Sequence, residues 1–385
     1  MVINYGKHFI DDDDLKNVLN TLKSNKITQG PQTINFENEL KKYFKSKFCS
    51  VVSSGTAALH LVGKALNWKK GDVILLPAIT FLATANCVEY NNATVCLVDV
   101  NKNQNTIDVN DVDRKIRKHR KKVKAIIGVD YAGYPCDWIK LKKIAKKYKI
   151  VLINDNCHAM GTAIKGDKGY ALKYADIITH SYHPVKSFTT GEGGAILTNN
   201  KIIDSKIKIL RNHGIVNREK SEKLKPWLYQ MKYLGFNYRM SDINAALGRS
   251  QLKKIDKFVK KRNKIAEIYD KNFQKLKFFE VPPRNKDILS SYHLYNLKID
   301  FKKLKKNKRD FFIYLKKNLI NAQVHYIPIY KQPYYKNKYK FKYVDYPNSE
   351  ILYQNEVSIP IYYSLKETDI TYILKKIFQY FSRCK

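Results

Sequence analysis

The chain has 385 residues, 44% of them hydrophobic, with 72 Lys+Arg against 34 Asp+Glu and a formal net charge of +38. That length can bury a large core, read as a large domain over 1–250 and a smaller one over 251–385. The longest apolar segment, 73–85, is too short to span a bilayer and contains Pro77, which excludes membrane insertion. The amino end, MVINYGKHFIDDDD, lacks the basic start and apolar run of a signal peptide, so a cytoplasmic protein is expected. The positive charge invites a nucleic-acid reading, but the lysines spread over helical surfaces (140–149, 253–264, 302–317) instead of gathering in one motif. Lysine, asparagine, isoleucine and tyrosine are all plentiful, as an AT-rich coding sequence gives. No nucleic-acid partner is expected, although the charge can raise encounter rates with small anions.

From residue 48 onward, strands and helices alternate. Strands are expected at 48–52, 73–76, 95–98, 125–129, 150–153, 177–181 and 195–198, with helices such as 57–66, 109–119 and 138–148 between them. Alternation of this kind predicts an α/β fold whose mostly parallel sheet is covered on both faces, with ligands at the carboxyl ends of the strands. Residues 80–86 open a further helix, and Phe81 at its start can either stack on a flat ring or join the core. Asp99 and Asp108 read as residues that cap or solvate the following turn. The charged stretch 217–232 reads as a loop, and Ser241 with Asp242 signals a capped helix behind it. Beyond about 250 the chain becomes more helical and more basic, reading as helices on a short sheet. Cys49, Cys87, Cys96, Cys136, Cys157 and Cys384 are scattered without a CxxC pair, which predicts free thiols and neither a disulfide frame nor a metal site.

Three stretches carry chemistry. In HSYHPVKSFTTGEGGAIL (180–197), Lys186 sits where an apolar strand exits into a glycine-rich return, so its amine can point inward. In IVLINDNCHAMGTA (150–163), a short apolar strand ends at Asp155, with His158 three residues on. A carboxylate at that place needs a cation or several donors, and a helix N-cap would also satisfy it. In VVSSGTAALHLVGKAL (51–66), a Ser-Ser-Gly-Thr turn opens an Ala/Leu-rich helix, whose first N–H groups, with the hydroxyls of Ser54 and Thr56, suit a phosphate; an ordinary capped turn is the plainer reading. Taken together, these stretches suit pyridoxal phosphate (PLP) chemistry, in which a lysine bonds the cofactor aldehyde and an acid keeps the ring nitrogen protonated.

In this combination the chain resembles the DegT/DnrJ/EryC1/StrS family of PLP-dependent sugar aminotransferases. The resemblance runs almost end to end, through KITQG (26–30), SSGTAALHL, PAITFLATAN (77–86), VDYAGYP (129–135), DNCHAMG, SYHPVKSFTTGEGGA and GFNYRMSDINAALG (235–248). VDYAG, the Asp155–His158 pairing and AQVHYIPIY (322–330) are similar to the branch acting in pseudaminic acid biosynthesis. The resemblance implies a fold-type I aminotransferase with PLP as cofactor, L-glutamate as amino donor and a nucleotide-linked 4-keto-6-deoxy sugar as acceptor. Lys186, Asp155 and His158 would then be catalytic. Ser54, Thr56, Ala57, Phe81, Ser181 and Asn237 would join them around the cofactor, and Thr28, Tyr131, Arg239, His325 and Tyr326 would meet the substrate. It further implies a homodimer in which Asn237 reaches the cofactor of the neighbouring subunit. Three rivals compete: a perosamine-type or other 4-amino sugar as product, a PLP-dependent dehydratase, and a non-catalytic regulatory or nucleic-acid-binding protein on the same scaffold. Dehydratases of this pattern replace the lysine by histidine, so Lys186 argues against the second.

Overall fold

A computed structural model describes residues 2–216, 225 and 227–382. The loop expected over 217–232 falls in part, and Cys384 wholly, outside the described residues. Seven strands form the central sheet: β1 (Phe48–Val52), β2 (Val73–Pro77), β3 (Thr94–Val98), β4 (Val123–Val129), β5 (Val151–Asp155), β6 (Ile177–Ser181) and β7 (Gly194–Thr198). Their order is β1-β7-β6-β5-β4-β2-β3, with β7 antiparallel to both its neighbours and the other pairings parallel. The strands are apolar almost throughout because helices cover both faces: Leu75, Ile126 and Leu152 belong to one core, Ile74, Ile127 and Ile153 to the other. Each such side chain, fully buried, stabilises the fold by about 1.5–3 kcal/mol before entropy is counted.

The helices start where capping chemistry allows. Ser54 caps Gly55–Ala65 by accepting from the Ala57 N–H, Asp108 caps Val109–His119, Asp137 caps Trp138–Tyr148 and Ser241 caps Asp242–Leu252. Asp99 departs from its expected role. Although it accepts from the Val100 N–H, its carboxylate also takes the N–H groups of Asn348 and Ser349, at the start of the helix Pro347–Asn355, so it ties distant segments together.

The carboxyl-terminal region has its own core, built from residues such as Ile265, Tyr269, Phe273, Leu297, Phe311 and Ile373. An antiparallel sheet of Phe279–Glu280, Tyr295–Ile299 and Glu356–Ile359 is flanked by the helices Ile255–Phe273, Lys308–Lys317 and Glu367–Ser382. The two sheets meet through loops: residues 288–289 pair with 163–164, and 322–330 crosses back to the carboxyl ends of the central strands. Among the described residues no helix is long and apolar enough to cross a membrane. Cys49, Cys87, Cys96, Cys136 and Cys157 are free thiols.

Candidate active site

The carboxyl ends of β4, β5 and β6 open onto a cavity of about 350 Å³. Ser54, Thr56, Phe81, Asp155, His158, Ser181, Lys186, His325 and Tyr326 all line it. One end is the start of the helix Gly55–Ala65, where the close approach of β6 demands glycine: a Cβ on Gly55 would stand 2.6 Å from the Ser181 Cβ. A Cβ on Gly194 would lie 2.5 Å from the Ser54 carbonyl oxygen, so the turn before this helix rests directly on β7. Helix N–H groups and the three hydroxyls of Ser54, Thr56 and Ser181 thus converge on one corner, a setting for a dianion. Ala57 lies outside the lining, and its N–H is already given to Ser54 Oγ at 3.0 Å.

Lys186 keeps some accessible surface because it fronts the cavity, yet protein surrounds it. Desolvation holds its amine below the ordinary lysine pKa, with Cys157 and Asp155 pulling the other way, and among the described residues it forms no ion pair. Asp155 is buried and, among the described residues, forms no ion pair. Its Oδ2 accepts from Thr84 Oγ1 at 2.8 Å and its Oδ1 from the Cys157 N–H at 3.3 Å, so no helix uses it as a cap. Burial pushes the Cys157 thiol well up, which leaves it protonated and a poor nucleophile.

His158 is kept neutral, its pKa driven well down by burial and by Lys186. The Ala132 N–H points at Nδ1 (3.3 Å), which assigns the ring proton to Nε2 and directs it to Tyr326 Oη at 2.9 Å. The Tyr326 hydroxyl, having accepted that proton's hydrogen bond, is left to donate into the cavity. Tyr131 does not line the cavity. It is buried behind it, donating to the His325 carbonyl and so holding the 322–330 loop in place. Phe81 is 53% exposed at the lip, its ring centroid 5.8 Å from that of Tyr326.

Thr28, Asn237 and Arg239 lie elsewhere in the chain. Arg239 lines a second cavity of about 230 Å³ with Gln29, Gly30, Lys208 and Arg211, and donates to Asn212 Oδ1. Asn237 bridges to Asn212 and Thr28 to Ser241, and both are exposed. Within one chain the structure therefore does not bring these three to the first cavity. Sequence reasoning missed Thr84, Tyr5 and His293 around the first cavity. Thr80 and Thr84 were visible as an i, i+4 pair in PAITFLATAN, and they do bond each other at 2.8 Å. Nothing local marks His293, whose ring lies 4.3 Å from that of His158.

A helix start with three hydroxyls, a lysine amine and a buried carboxylate thus share one cavity. The DegT/DnrJ/EryC1/StrS aminotransferase family matches residues 8–378. The chain belongs to that family. Its members are PLP-dependent nucleotide-sugar aminotransferases on the fold-type I architecture. The chain is 36% identical over 384 residues to the UDP-4-amino-4,6-dideoxy-N-acetyl-beta-L-altrosamine transaminase of Campylobacter jejuni, covering 100% of this chain and 99% of the relative. Among solved structures it is similar to Helicobacter pylori PseC, an aminotransferase involved in the biosynthesis of pseudoaminic acid (TM-score 0.91, 29% identity, 100% of both chains). It is likewise similar to Streptococcus pneumoniae Spr1654, described as a sugar aminotransferase, in its PLP form (TM-score 0.91, 26% identity, 100% of this chain and 99% of that one). As a DegT/DnrJ/EryC1/StrS aminotransferase, the chain has in its first cavity a place that fits the cofactor, with the buried Asp155 carboxylate open to a cationic ring nitrogen and the glycine-lined corner open to the phosphate.

Proposed function

We propose that this chain moves the amino group of L-glutamate to C4 of UDP-2-acetamido-2,6-dideoxy-β-L-arabino-hexos-4-ulose, a step of pseudaminic acid biosynthesis. The observation that carries the reading is Lys186 and Asp155 on the walls of one cavity, in a chain alike end to end to a transaminase of that sugar series. Pyridoxal phosphate, when bound, supplies an electron sink for the carbanion formed beside the transferred nitrogen. Asp155 holds a proton on the ring nitrogen through a charge-assisted hydrogen bond. Ser54, Thr56 and Ser181 bind the phosphate, together with the first N–H groups of their helix. Lys186 Nζ would anchor the cofactor between turnovers and, when free, would serve as the base that moves the proton at the donor α-carbon in one half-reaction and at sugar C4 in the other. Its lowered pKa suits it to act as a base. His158 holds the Tyr326 hydroxyl toward the sugar, with His325 beside it.

The enzyme works as a cytoplasmic homodimer, with residues 1–250 and 251–385 as its two units and Asn237, Arg239 and Thr28 supplied to the site of the partner. Two features support this: these residues stand apart from the cavity of their own chain, and Trp227, Tyr229, Met231 and Leu234, a few residues before Asn237 in the chain, expose apolar surface (Trp227 76%, Leu234 81%). The test is turnover with L-glutamate and purified UDP-, dTDP- and GDP-linked 4-ketosugars, with the C4 configuration of the product read by NMR. Amination of the UDP-linked 2-acetamido sugar is expected; amination of a GDP- or dTDP-linked sugar alone overturns the assignment.

A further inference from the structure

VDYAGYP contains an acid that the reaction above does not use. Asp130 follows β4 directly, one residue past Val129, which pairs with Asp155 across the sheet. It is completely buried and has no cation beside it among the described residues, yet it accepts five hydrogen bonds. Oδ1 takes the Cys136 N–H and Trp138 Nε1, both at 2.8 Å. Oδ2 takes Asn154 Nδ2 at 2.9 Å, Asn156 Nδ2 at 3.0 Å and the Tyr170 hydroxyl at 2.7 Å.

Asn154 and Asn156 are the two neighbours of Asp155 in the chain. Side chains alternate along a strand, so both asparagines point away from the cavity while Asp155 points into it. One carboxylate therefore grips the strand end on both sides of the residue that meets the ring nitrogen. The same residue begins the turn Tyr131–Gly133, with the Gly133 N–H on its carbonyl, and from that turn the Ala132 N–H meets His158. We propose that Asp130 is a positioning residue, fixing Asp155 through Asn154 and Asn156 and His158 through the turn it starts.

Burial pushes the Asp130 carboxyl up, and its donors offset that only in part. All five groups give hydrogen atoms to it, so a proton on Asp130 would have to displace one of them; the charged form is the one this cage fits. An amide in its place has a single acceptor oxygen, which leaves at least the two donors on one side facing an NH₂ group.

The inference rests on Asp155 being the partner of the ring nitrogen, and its test separates the two ideas. Cofactor affinity of the apo-protein, the pH dependence of the bound cofactor's absorption and the thermal midpoint are measured for Asp130→Asn, Tyr170→Phe, Asp155→Asn and Tyr43→Phe. The last loses a hydroxyl bond to Asp256 outside the cavity and serves as control. Asp130→Asn is expected to weaken cofactor binding about tenfold, the worth of one or two hydrogen bonds, and to shift the absorption profile in the same direction as Asp155→Asn. Tyr170→Phe should shift it less, and Tyr43→Phe not at all. A lower thermal midpoint with unchanged affinity and profile in Asp130→Asn would reduce the residue to a structural one and overturn the inference. Should Asp130→Asn not fold, unchanged values in both Tyr170→Phe and Asn156→Ala overturn it instead. An unaltered profile in Asp155→Asn removes the reading of Asp155, and this inference with it.

Discussion

The floor and the far wall of the cavity are made differently. Strand ends and the turns after them build the floor: Ser54 caps the helix that follows β1, Asp155 ends β5, Ser181 ends β6 and Lys186 lies five residues further. Asp155 and Ser181 are locked in a seven-stranded ladder, so their position follows from register, and Ser54 and Lys186 follow a strand end within a few residues. The wall comes from the small region, where His325 and Tyr326 sit in a loop held by point contacts. Glu356 accepts the His325 N–H at 2.9 Å, Tyr131 donates to the His325 carbonyl, and His158 donates to Tyr326. A sheet holds its residues collectively, whereas between its backbone anchors, Gln323 on Ser358 and Ile329 on Ala78, this loop is held by three side chains. Under the proposed function, the chemistry that every substrate shares falls on the half held by the sheet, and the contacts proposed to choose the sugar fall on the loop.

The largest expected effect is on the floor. Lys186→Ala should lower 2-oxoglutarate release by on the order of 10³-fold or more, since among the described residues no other amine lines the cavity. Normal release by this variant would remove the mechanism. Mixed with Arg239→Ala, it should regain turnover, because a mixed dimer carries one site with an intact lysine and an intact partner arginine. Absence of rescue would place Arg239 outside any shared site. An intermediate effect is expected on the wall: Tyr326→Phe should slow the sugar half-reaction roughly tenfold, the worth of about one hydrogen bond, and leave the glutamate half-reaction within about twofold. Equal losses in both halves, followed by single-turnover absorbance, would erase the division drawn here.

The smallest effect concerns what holds the wall. Burial pushes the Glu356 carboxyl up to about 7, against the Ser358 hydroxyl, Lys308 and the His325 N–H. The folded state therefore binds this proton more tightly than the unfolded chain does, and stability falls as pH rises between the ordinary glutamate pKa and about 7. Glu356→Gln should flatten that part of the plot of thermal midpoint against pH while keeping an acceptor for the His325 N–H. A slope unchanged in Glu356→Gln would assign it to another group.

The strands, their mostly parallel arrangement and the floor were legible in the sequence because they rest on local pattern. Apolar runs of five residues bounded by glycine and polar turns give the sheet; the helices at 109–119 and 138–148 begin and end where caps and periodicity put them. SSGT, DNCH and the Lys186 loop each lie within a few residues of a strand end. Asp130 illustrates the opposite case. Its five partners span residues 136 to 170, and nothing in VDYAGYP announces that Asn154 and Asn156 will turn their amides toward it. Asp99, which binds a helix start some 250 residues away, and His293 beside His158 were invisible for the same reason.

What the sequence determined by itself was which residue types stand at strand ends, since hydrophobic periodicity and turn chemistry act over a few residues and survive without knowledge of the rest. Only the tertiary structure decided which buried polar groups find one another, and that Thr28, Asn237 and Arg239 stand apart from the cavity of their own chain. Hydrogen bonds act over about 3 Å in space, with no regard to separation along the chain.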